Sequence, residues 1–168
     1  MSLTVALSIS IGVVSGLWMI IAHYLGLTGL TFFIVPAWAA FVGMPLYFAS
    51  GGGKKGLSKT LAANAGGALM SIVMLLIADF FGFLGGPFDI ALGVGLGSLI
   101  IVCYSKFDLL SYVPGGFGGC ASAFGFGAGK NFPMVAAVVI ALFSGAILGY
   151  IADVWGNAMA KKSGEEIG

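Results

Sequence analysis

Residues 112–129 read Tyr-Val-Pro-Gly-Gly-Phe-Gly-Gly-Cys-Ala-Ser-Ala-Phe-Gly-Phe-Gly-Ala-Gly, about the length of one membrane-spanning helix. The stretch contains Pro114 and seven glycines, and glycine and proline are the two poorest helix formers in water. In lipid an unpaired backbone group is too costly, so an apolar stretch of this length is helical or buried in protein. The glycines therefore indicate that a neighbouring helix or a solute comes very close to this backbone.

The composition of the chain indicates an integral membrane protein. Its 168 residues are 60% hydrophobic and 8% charged, whereas soluble domains carry about 25% charged residues. A water-soluble fold of this size has no room to bury so much apolar surface, and one membrane domain, residues 1–168, is expected. The formal net charge is only +1, which argues against nucleic acid as a partner.

Six apolar segments predict an all-α polytopic protein with six transmembrane helices. The predicted helices cover residues 3–24, 30–49, 57–81, 88–104, 109–128 and 132–155. Six of the seven lysines fall on one side of this topology, and only Lys130 falls on the other. The positive-inside rule then predicts a bacterial inner-membrane protein with both termini, including a tail of residues 157–168, in the cytoplasm. The first segment is expected to be a retained helix rather than a signal peptide.

Three matches in the same order predict a duplication of three helices. Gly12-Val-Val-Ser-Gly16 matches Gly93-Val-Gly-Leu-Gly97, Val-Pro at 35–36 matches Val-Pro at 113–114, and Ile-Ala-Asp at 77–79 matches Ile-Ala-Asp at 151–153. A unit with an odd number of crossings places its second copy upside down. Residues 1–83 and 87–156 are therefore expected to form a 3+3 inverted repeat.

Pro36 and Pro114 are predicted to break helices 2 and 5 at symmetric positions. A proline inside a helix frees the carbonyl four residues earlier, here those of Phe32 and Leu110. Paired broken helices indicate a solute path, although serine, threonine or water can also repair such breaks. Together with nearby aromatic and small residues, the candidate path comprises Pro36, Trp38, Phe41, Pro114, Phe117, Cys120, Ser122 and Phe124.

The glycines also have a packing interpretation, because small residues let two helix backbones approach closely in lipid. Both GxxxG pairs and one face of helix 5 fit this pattern. The candidate packing residues are Gly12, Gly16, Gly93, Gly97, Gly115 and Gly118.

Asp79 and Asp153 lie near the C-terminal ends of helices 3 and 6, where a carboxylate opposes the helix dipole. They are candidates for polar mouths at the two ends of a path. The alternative is an ion pair, with Lys130 within reach of Asp79 and Lys161 or Lys162 within reach of Asp153.

The middle of each predicted helix lacks Asp, Glu, Lys and His, which ion-coupled carriers and proton pumps usually need. His23, at the end of helix 1, is expected to be interfacial, with a pH gate as the alternative. Cys103 and Cys120 fit small buried hydrophobes, so no metal site or cofactor is expected. No nucleophile–base pair or phosphate-binding loop is present, which argues against an enzyme.

The chain resembles an uncharacterised family of small six-helix bacterial inner-membrane proteins, domain of unknown function 1097. The resemblance rests on Ser-Gly-Leu-Trp at 15–18, Val-Pro-Ala-Trp at 35–38 and Pro-Gly-Gly-Phe-Gly-Gly at 114–119, and it covers most of the chain. It implies a fold and a location but no substrate. The inverted plan is similar to aquaporins and formate channels in layout alone, since the Asn-Pro-Ala signature and a paired histidine gate are absent.

These features favour a passive channel or facilitator for a small neutral or weakly polar solute, with its path between helices 2 and 5. The alternative is a non-transporting membrane subunit whose glycine-rich faces serve oligomeric assembly. The expected partners are the lipid bilayer, further copies of the chain in a homo-oligomer and the solute. The distinguishing feature is whether the Trp38/Phe41 face and the Phe117/Phe124 face enclose one path.

Overall fold

Helices make up most of the protein in its computed structural model, which describes residues 1–25, 35–85 and 87–164. The described residues form α1 (Leu3–Tyr24), α2 (Ala40–Ala49), α3 (Gly53–Phe80), α4 (Phe88–Tyr104), α5 (Val113–Gly125) and α6 (Phe132–Lys162). Short 3-10 turns lie at Ala37–Ala39, Gly82–Leu84 and Asp108–Leu110. No β-strand occurs in this part of the chain, so the predicted all-α class is confirmed.

Among the described helices, α1, α3 and α6 are long and apolar enough to cross a membrane. Their 22, 28 and 31 residues correspond to about 33, 42 and 46 Å, against a hydrocarbon core of about 30 Å. Helix α4 has 17 residues and α5 has 13, and α2 with its preceding 3-10 turn also spans 13. Each predicted segment therefore contains a helix, but these three helices fall short of a full crossing.

Side-chain caps and charged residues explain where α1 begins and where α6 begins and ends. The Ser2 hydroxyl accepts a hydrogen bond from the Val5 N–H at 3.3 Å, and the Asn131 side chain accepts one from the Met134 N–H at 3.2 Å. Lys161 and Lys162 occupy the last turn of α6, where positive charge is favourable. Helix α6 thus runs seven residues past its predicted end at residue 155, because residues 158–162 are good helix formers.

The prolines of helices 2 and 5 begin these elements rather than breaking them, which corrects the prediction. Pro36 is extended, with φ −73° and ψ 98°, and precedes the turn that leads into α2. Pro114 lies in the first turn of α5, where its missing N–H has no intrahelical acceptor to lose. Leu110 lies before α5, so Pro114 frees no helical carbonyl there, and Phe32 falls outside the described residues. The proline inside a described helix is Pro45 of α2.

The long helices α3 and α6 each pack against the opposite half of the chain. Helix α6 packs on α1 and α2, while α3 packs on α4 and α5. The two long helices also contact each other near the centre of the bundle. The third helix of each predicted three-helix unit thus completes the other unit.

The crossing of α3 and α5 depends on two glycines, one from each helix. A Cβ built on Gly67 would lie 1.7 Å from the carbonyl oxygen of Gly116. A Cβ built on Gly119 would lie 2.1 Å from the carbonyl oxygen of Asn64. A residue with a side chain at either position would force the two backbones apart.

The crossing of α6 and α2 has the same construction. A Cβ on Gly145 would lie 1.9 Å from the Ala40 carbonyl oxygen, and one on Gly43 would lie 2.1 Å from the Leu142 carbonyl oxygen. Each residue of this crossing corresponds to a residue of the crossing of α3 and α5. The α6 residues lie 78 positions after their α3 counterparts, and the α5 residues lie 76 positions after their α2 counterparts. The two crossings therefore bring equivalent positions of their helices into contact.

The two GxxxG pairs are not equivalent in the packing. A Cβ on Gly93 would meet the Met74 carbonyl oxygen at 2.3 Å, and one on Gly97 would meet the Met74 side chain at 2.2 Å. A Cβ on Gly12 or Gly16 would meet nothing described within 4 Å. The close approach predicted for α1 through this pair is absent from the described chain, because α1 packs through a different face: Ala6, Ser10, Val14, Trp18 and Ala22.

Candidate functional site

The charged side chains sort to the two ends of the bundle. The lysine-rich end carries Lys54, Lys55, Lys59, Lys106, Lys161 and Lys162, and the opposite end, here the Lys130 end, carries the ion pair of Lys130 with Asp79. This is the partner that the ion-pair alternative assigned to Asp79.

At the lysine-rich end, Lys59 ties the connection between α4 and α5 to α3. Its ammonium group lies 2.9 Å from Asp108 Oδ1 and 2.7 Å from Ser111 Oγ. The hydrogen bond from Lys59 and its charge hold the pKa of the Asp108 carboxyl below its usual value. The Asp108 carboxyl is therefore ionised near neutral pH.

Asp153 also lies at the lysine-rich end, but its partners differ from the predicted lysines. The Tyr47 hydroxyl donates to Asp153 Oδ2 at 2.5 Å, the Gly53 N–H donates to the Tyr47 hydroxyl at 2.7 Å, and Asn157 Nδ2 donates to Asp153 Oδ1 at 2.7 Å. Helix α3 starts at Gly53 without a side-chain cap of its own, so a carboxylate is favoured beside its N-terminus. Asp153 lines an open cavity of about 460 Å³.

The aromatic face of α5 forms a groove toward the outside of the bundle. Phe117, Cys120 and Phe124 line an open cavity of about 170 Å³ with residues of α3 and α4. Phe117 and Phe124 are 41% and 37% exposed, while the Cys120 thiol is buried and lies 3.5 Å from Met74 Sδ. We call this the α5 groove.

A second groove lies on α2. Phe41, Met44, Pro45 and Phe48 line an open cavity of about 260 Å³ with Ile11 and Ser15 of α1. We call this the α2 groove. Its four α2 residues lie 76 positions before the α5 residues of the other groove, namely Phe117, Cys120, Ala121 and Phe124.

The α2 groove and the α5 groove have no lining residue in common, so among the described residues the Trp38/Phe41 face and the Phe117/Phe124 face do not line a shared cavity. Trp38 lines neither groove and packs instead on the central hydrophobic cluster, which includes Ala68 of α3, Ala123 of α5 and Leu142 of α6. The reason is that α2 and α5 meet through other positions: Leu46 against Gly118 and Trp38 against Gly125. The rings of Phe41, Phe117 and Phe124 line the two grooves instead of this contact.

The remaining predicted residues of helices 2 and 5 are divided between the interior and the surface. Pro36 and Ser122 are buried, and Pro114 is exposed at the start of α5. A Cβ on Gly115 would lie 2.9 Å from Ala63 Cβ, so this glycine faces α3. In the described part of the chain, the predicted site residues are thus distributed over two grooves and the interior.

Two polar side chains that the sequence interpretation missed lie inside α3. Thr60 and Asn64 are fully buried, and they share one face of the helix one turn apart. The Thr60 hydroxyl and both polar atoms of the Asn64 amide have no hydrogen-bond partner among the described residues. Asn64 lies close to the middle of Gly53–Phe80, where an unpaired amide is costly in a membrane.

Two tyrosine hydroxyls also lack a hydrogen-bond partner in the described chain. Those of Tyr104 and Tyr112 are buried and unpaired within the described chain. The Tyr104 hydroxyl occupies a notch in which a Cβ on Gly116 would lie 2.9 Å away and one on Gly66 3.5 Å away. We call Thr60, Asn64, Tyr104 and Tyr112 the buried polar cluster.

Two other buried hydroxyls of the bundle, those of Ser71 and Ser10, do have hydrogen-bond partners. Ser71, on the same helix as Asn64, donates to the Ala68 carbonyl oxygen at 2.7 Å. Ser10 of α1 donates to the Leu7 carbonyl oxygen at 3.0 Å. Short buried side chains in this bundle thus bond to their own helix, whereas Thr60 and Asn64 do not. An amide within the apolar run 60–78 was the sequence signal for this cluster.

Comparison with known proteins places this fold in a family. Residues 8–157 match the family described as "Protein of unknown function (DUF1097)". The chain belongs to this family. The DUF1097 chain is 32% identical over 168 residues to "Inner membrane protein YcdZ" of Escherichia coli K12, covering 97% of this chain and 91% of that protein. It is 26% identical over 164 residues to "Uncharacterized protein YahC" of the same organism, covering 93% and 92%.

No solved structure matches this DUF1097 chain. The membrane character rests on its apolar helices and on a relative whose name places it in the inner membrane.

Proposed function

We propose that this DUF1097 protein is a passive channel or facilitator for a small neutral or weakly polar solute in the bacterial inner membrane. The observation that carries the proposal is the pair of short helices α2 and α5 that contact each other inside the bundle. Each helical element has 13 residues, about 20 Å, which is less than the hydrocarbon core. Discontinuous helices of this kind, in matching positions of two halves, form the solute sites of many transporters.

Buried non-helical backbone continues these short helices. Residues 126–131 follow α5 without helical structure, and Phe126 and Ala128 among them are buried. On the other side, the extended Pro36 is buried ahead of α2. Non-helical backbone at membrane depth is tolerated only where protein covers it or where it lines a water-filled cavity.

The proposed architecture is an inverted repeat of residues 1–83 and 87–156. Three features support it: α3 and α6 are exchanged between the halves, the two glycine crossings share one register, and the two grooves are lined by corresponding residues. The packing also revises the alignment of the repeats, since α1 and α4 correspond through buried faces 79 positions apart: Val14, Trp18 and Ala22 with Gly93, Gly97 and Ile101.

The charge distribution supports an uncharged solute. The described aspartates and lysines lie at the lysine-rich end or the Lys130 end, and the buried polar groups are hydroxyls, an amide and a thiol. Ion carriers usually need a charged group in the interior. Asp79 and Asp153 would then be the polar mouths at opposite ends. The lysine-rich end and both termini would face the cytoplasm.

The proposal is tested by the swelling of proteoliposomes in urea, glycerol and short amides. We expect wild-type protein to raise the swelling rate above that of protein-free liposomes for at least one of these solutes. Equal rates with and without folded protein across the whole panel would contradict a facilitator.

A second candidate is a non-transporting subunit that assembles with copies of itself. The observation in its favour is the open face of α1, where Gly12 and Gly16 meet nothing described within 4 Å. In lipid such a GxxxG face can dimerise. If α1 forms the interface, Gly12→Leu should reduce the oligomer in size-exclusion profiles while the helix content stays unchanged. An unchanged profile would exclude this interface.

A further inference from the structure

We propose that the buried polar cluster is the binding site for a small uncharged molecule that both donates and accepts hydrogen bonds. The inference rests on the proposed function and adds the place and the chemistry of its solute site. The site lies where α3, α4 and α5 meet, next to the lysine-rich end, rather than between the aromatic faces of α2 and α5.

The first support is the set of unpaired atoms. Thr60 Oγ1, Asn64 Oδ1 and Asn64 Nδ2 lack a partner in the described chain, although both residues are 0% exposed. Burying such groups without hydrogen bonds costs free energy, and membrane proteins keep them mainly for function. An amide offers a donor and an acceptor and a hydroxyl offers both, so the cluster complements a neutral molecule with the same two capacities.

The second support comes from the other half of the molecule. In the matching crossing of α6 and α2, the residues that correspond to Thr60 and Asn64 are Val138 and Leu142, 78 positions later. Both are fully buried. A valine and a leucine thus suffice for packing at this kind of crossing. The polar pair in α3 is therefore not required for packing and indicates a different role.

The third support is the position of the cluster near the lysine-rich end. Lys59 precedes Thr60 in the chain and is held by Asp108 and Ser111 in the connection between α4 and α5. The tyrosine hydroxyls of the cluster come from the end of α4 and from the residue before α5. The cluster thus lies on elements that also reach the lysine-rich end.

The test replaces the polar pair by the residues of the other half, Thr60→Val with Asn64→Leu. We expect swelling in urea to slow about tenfold relative to wild type, since the solute loses hydrogen bonds worth about 1.4 kcal/mol. The thermal midpoint should stay equal or rise, because unpaired buried groups are removed. Ser71→Ala, which removes a paired hydroxyl from the same helix, is the matched control and should leave the rate unchanged.

The outcomes separate this site from the proposed function. A folded double variant that transports urea like the wild type would overturn the site and leave the facilitator standing. A wild type no faster than protein-free liposomes would overturn the facilitator. In that case the site is judged by a second measurement, the reaction of Thr60→Cys with a small water-soluble thiol reagent after Cys103 and Cys120 are replaced by alanine. Reaction of Thr60→Cys, but not of Ser71→Cys, is expected, and an unreactive Thr60→Cys would overturn the site.

Discussion

At the scale of single residues, the glycines fall into two classes according to whether a Cβ at that position would contact a neighbouring element. Gly67 faces a backbone carbonyl, and Gly12 meets no described atom within 4 Å. The sequence predicted close approach for the glycine-rich stretch 112–129 and for both GxxxG pairs. It could not tell which glycines meet a backbone, because the spacing of small residues does not show which face of a helix is covered. Asn64 was not predicted as a site residue for a related reason, because the sequence alone does not show that its side chain is buried without a partner.

We predict opposite effects for alanine at these two glycines. Gly67→Ala should lower the free energy of unfolding by about 3 kcal/mol, because its Cβ would lie 1.7 Å from the Gly116 carbonyl oxygen. Gly12→Ala should be neutral or stabilise by up to about 1 kcal/mol through helix propensity. Thermal unfolding in detergent, followed by circular dichroism, measures both. Equal midpoints for the two variants would show that the crossing is not close-packed.

A second prediction at this scale concerns Tyr47. Its hydroxyl joins the Gly53 N–H to the Asp153 carboxylate, so Tyr47→Phe should destabilise the protein by about 1–2 kcal/mol. Tyr150→Phe is the control, since it keeps the ring contact with Tyr47 at 6.2 Å. If the two variants melted together, the proposed capping of α3 by Asp153 and Tyr47 would be wrong.

At the scale of elements, the sequence predicted some helices to the residue and others poorly. The bounds Leu3–Tyr24 and Phe88–Tyr104 match the prediction, because the ends of these apolar runs coincide with polar or helix-starting residues. Helices α2 and α5 are shorter than predicted. A proline near the start of a helix and one inside a longer helix give the same sequence pattern, and only the tertiary path distinguishes them. Helix α3 starts at Gly53, earlier than predicted, because its cap comes from distant residues.

The contact between α2 and α5 gives a prediction for these elements. A Cβ on Gly118 would lie 2.6 Å from Leu46 Cδ1, so cysteines at positions 46 and 118 should cross-link under mild oxidation. Cysteines at 41 and 117, in separate grooves, should not cross-link within one chain. Both pairs would be built after replacing Cys103 and Cys120 by alanine. Cross-linking of the 41–117 pair alone would restore the aromatic faces as opposite walls of one path.

At the scale of the whole molecule, the lysines predict the orientation of the protein in the membrane. Gly53 starts α3 at the lysine-rich end, and Gly85 follows its far end. Cysteines at these two positions should therefore react with an impermeant maleimide from opposite sides of the membrane, with Gly53→Cys reacting only from the cytoplasm. Labelling of both from the same side would contradict the orientation and the proposed inverted repeat.

The inverted repeat itself was inferred from three short matches, and the packing supports the idea with a different alignment. The matched Asp79 and Asp153 have different surroundings, the first paired with Lys130 and the second bonded to Tyr47 and Asn157. The crossings of α3 with α5 and of α6 with α2 correspond far more closely. Close contact between two helix backbones requires glycine or another small residue at fixed positions, so the crossings are the better guide to the alignment. A short sequence match such as Ile-Ala-Asp occurs even where the two aspartates have different partners.

The most direct measurement of the central claim compares urea with guanidinium, which has nearly the same size and shape but carries a charge. Proteoliposomes with wild-type protein and liposomes without it are mixed rapidly with a gradient of each solute, and the swelling rate is recorded. A facilitator with no charged group in its interior should raise the urea rate well above the protein-free value and leave the guanidinium rate unchanged. Urea swelling no faster than in protein-free liposomes, or equal acceleration of both solutes, would contradict a facilitator for small neutral solutes.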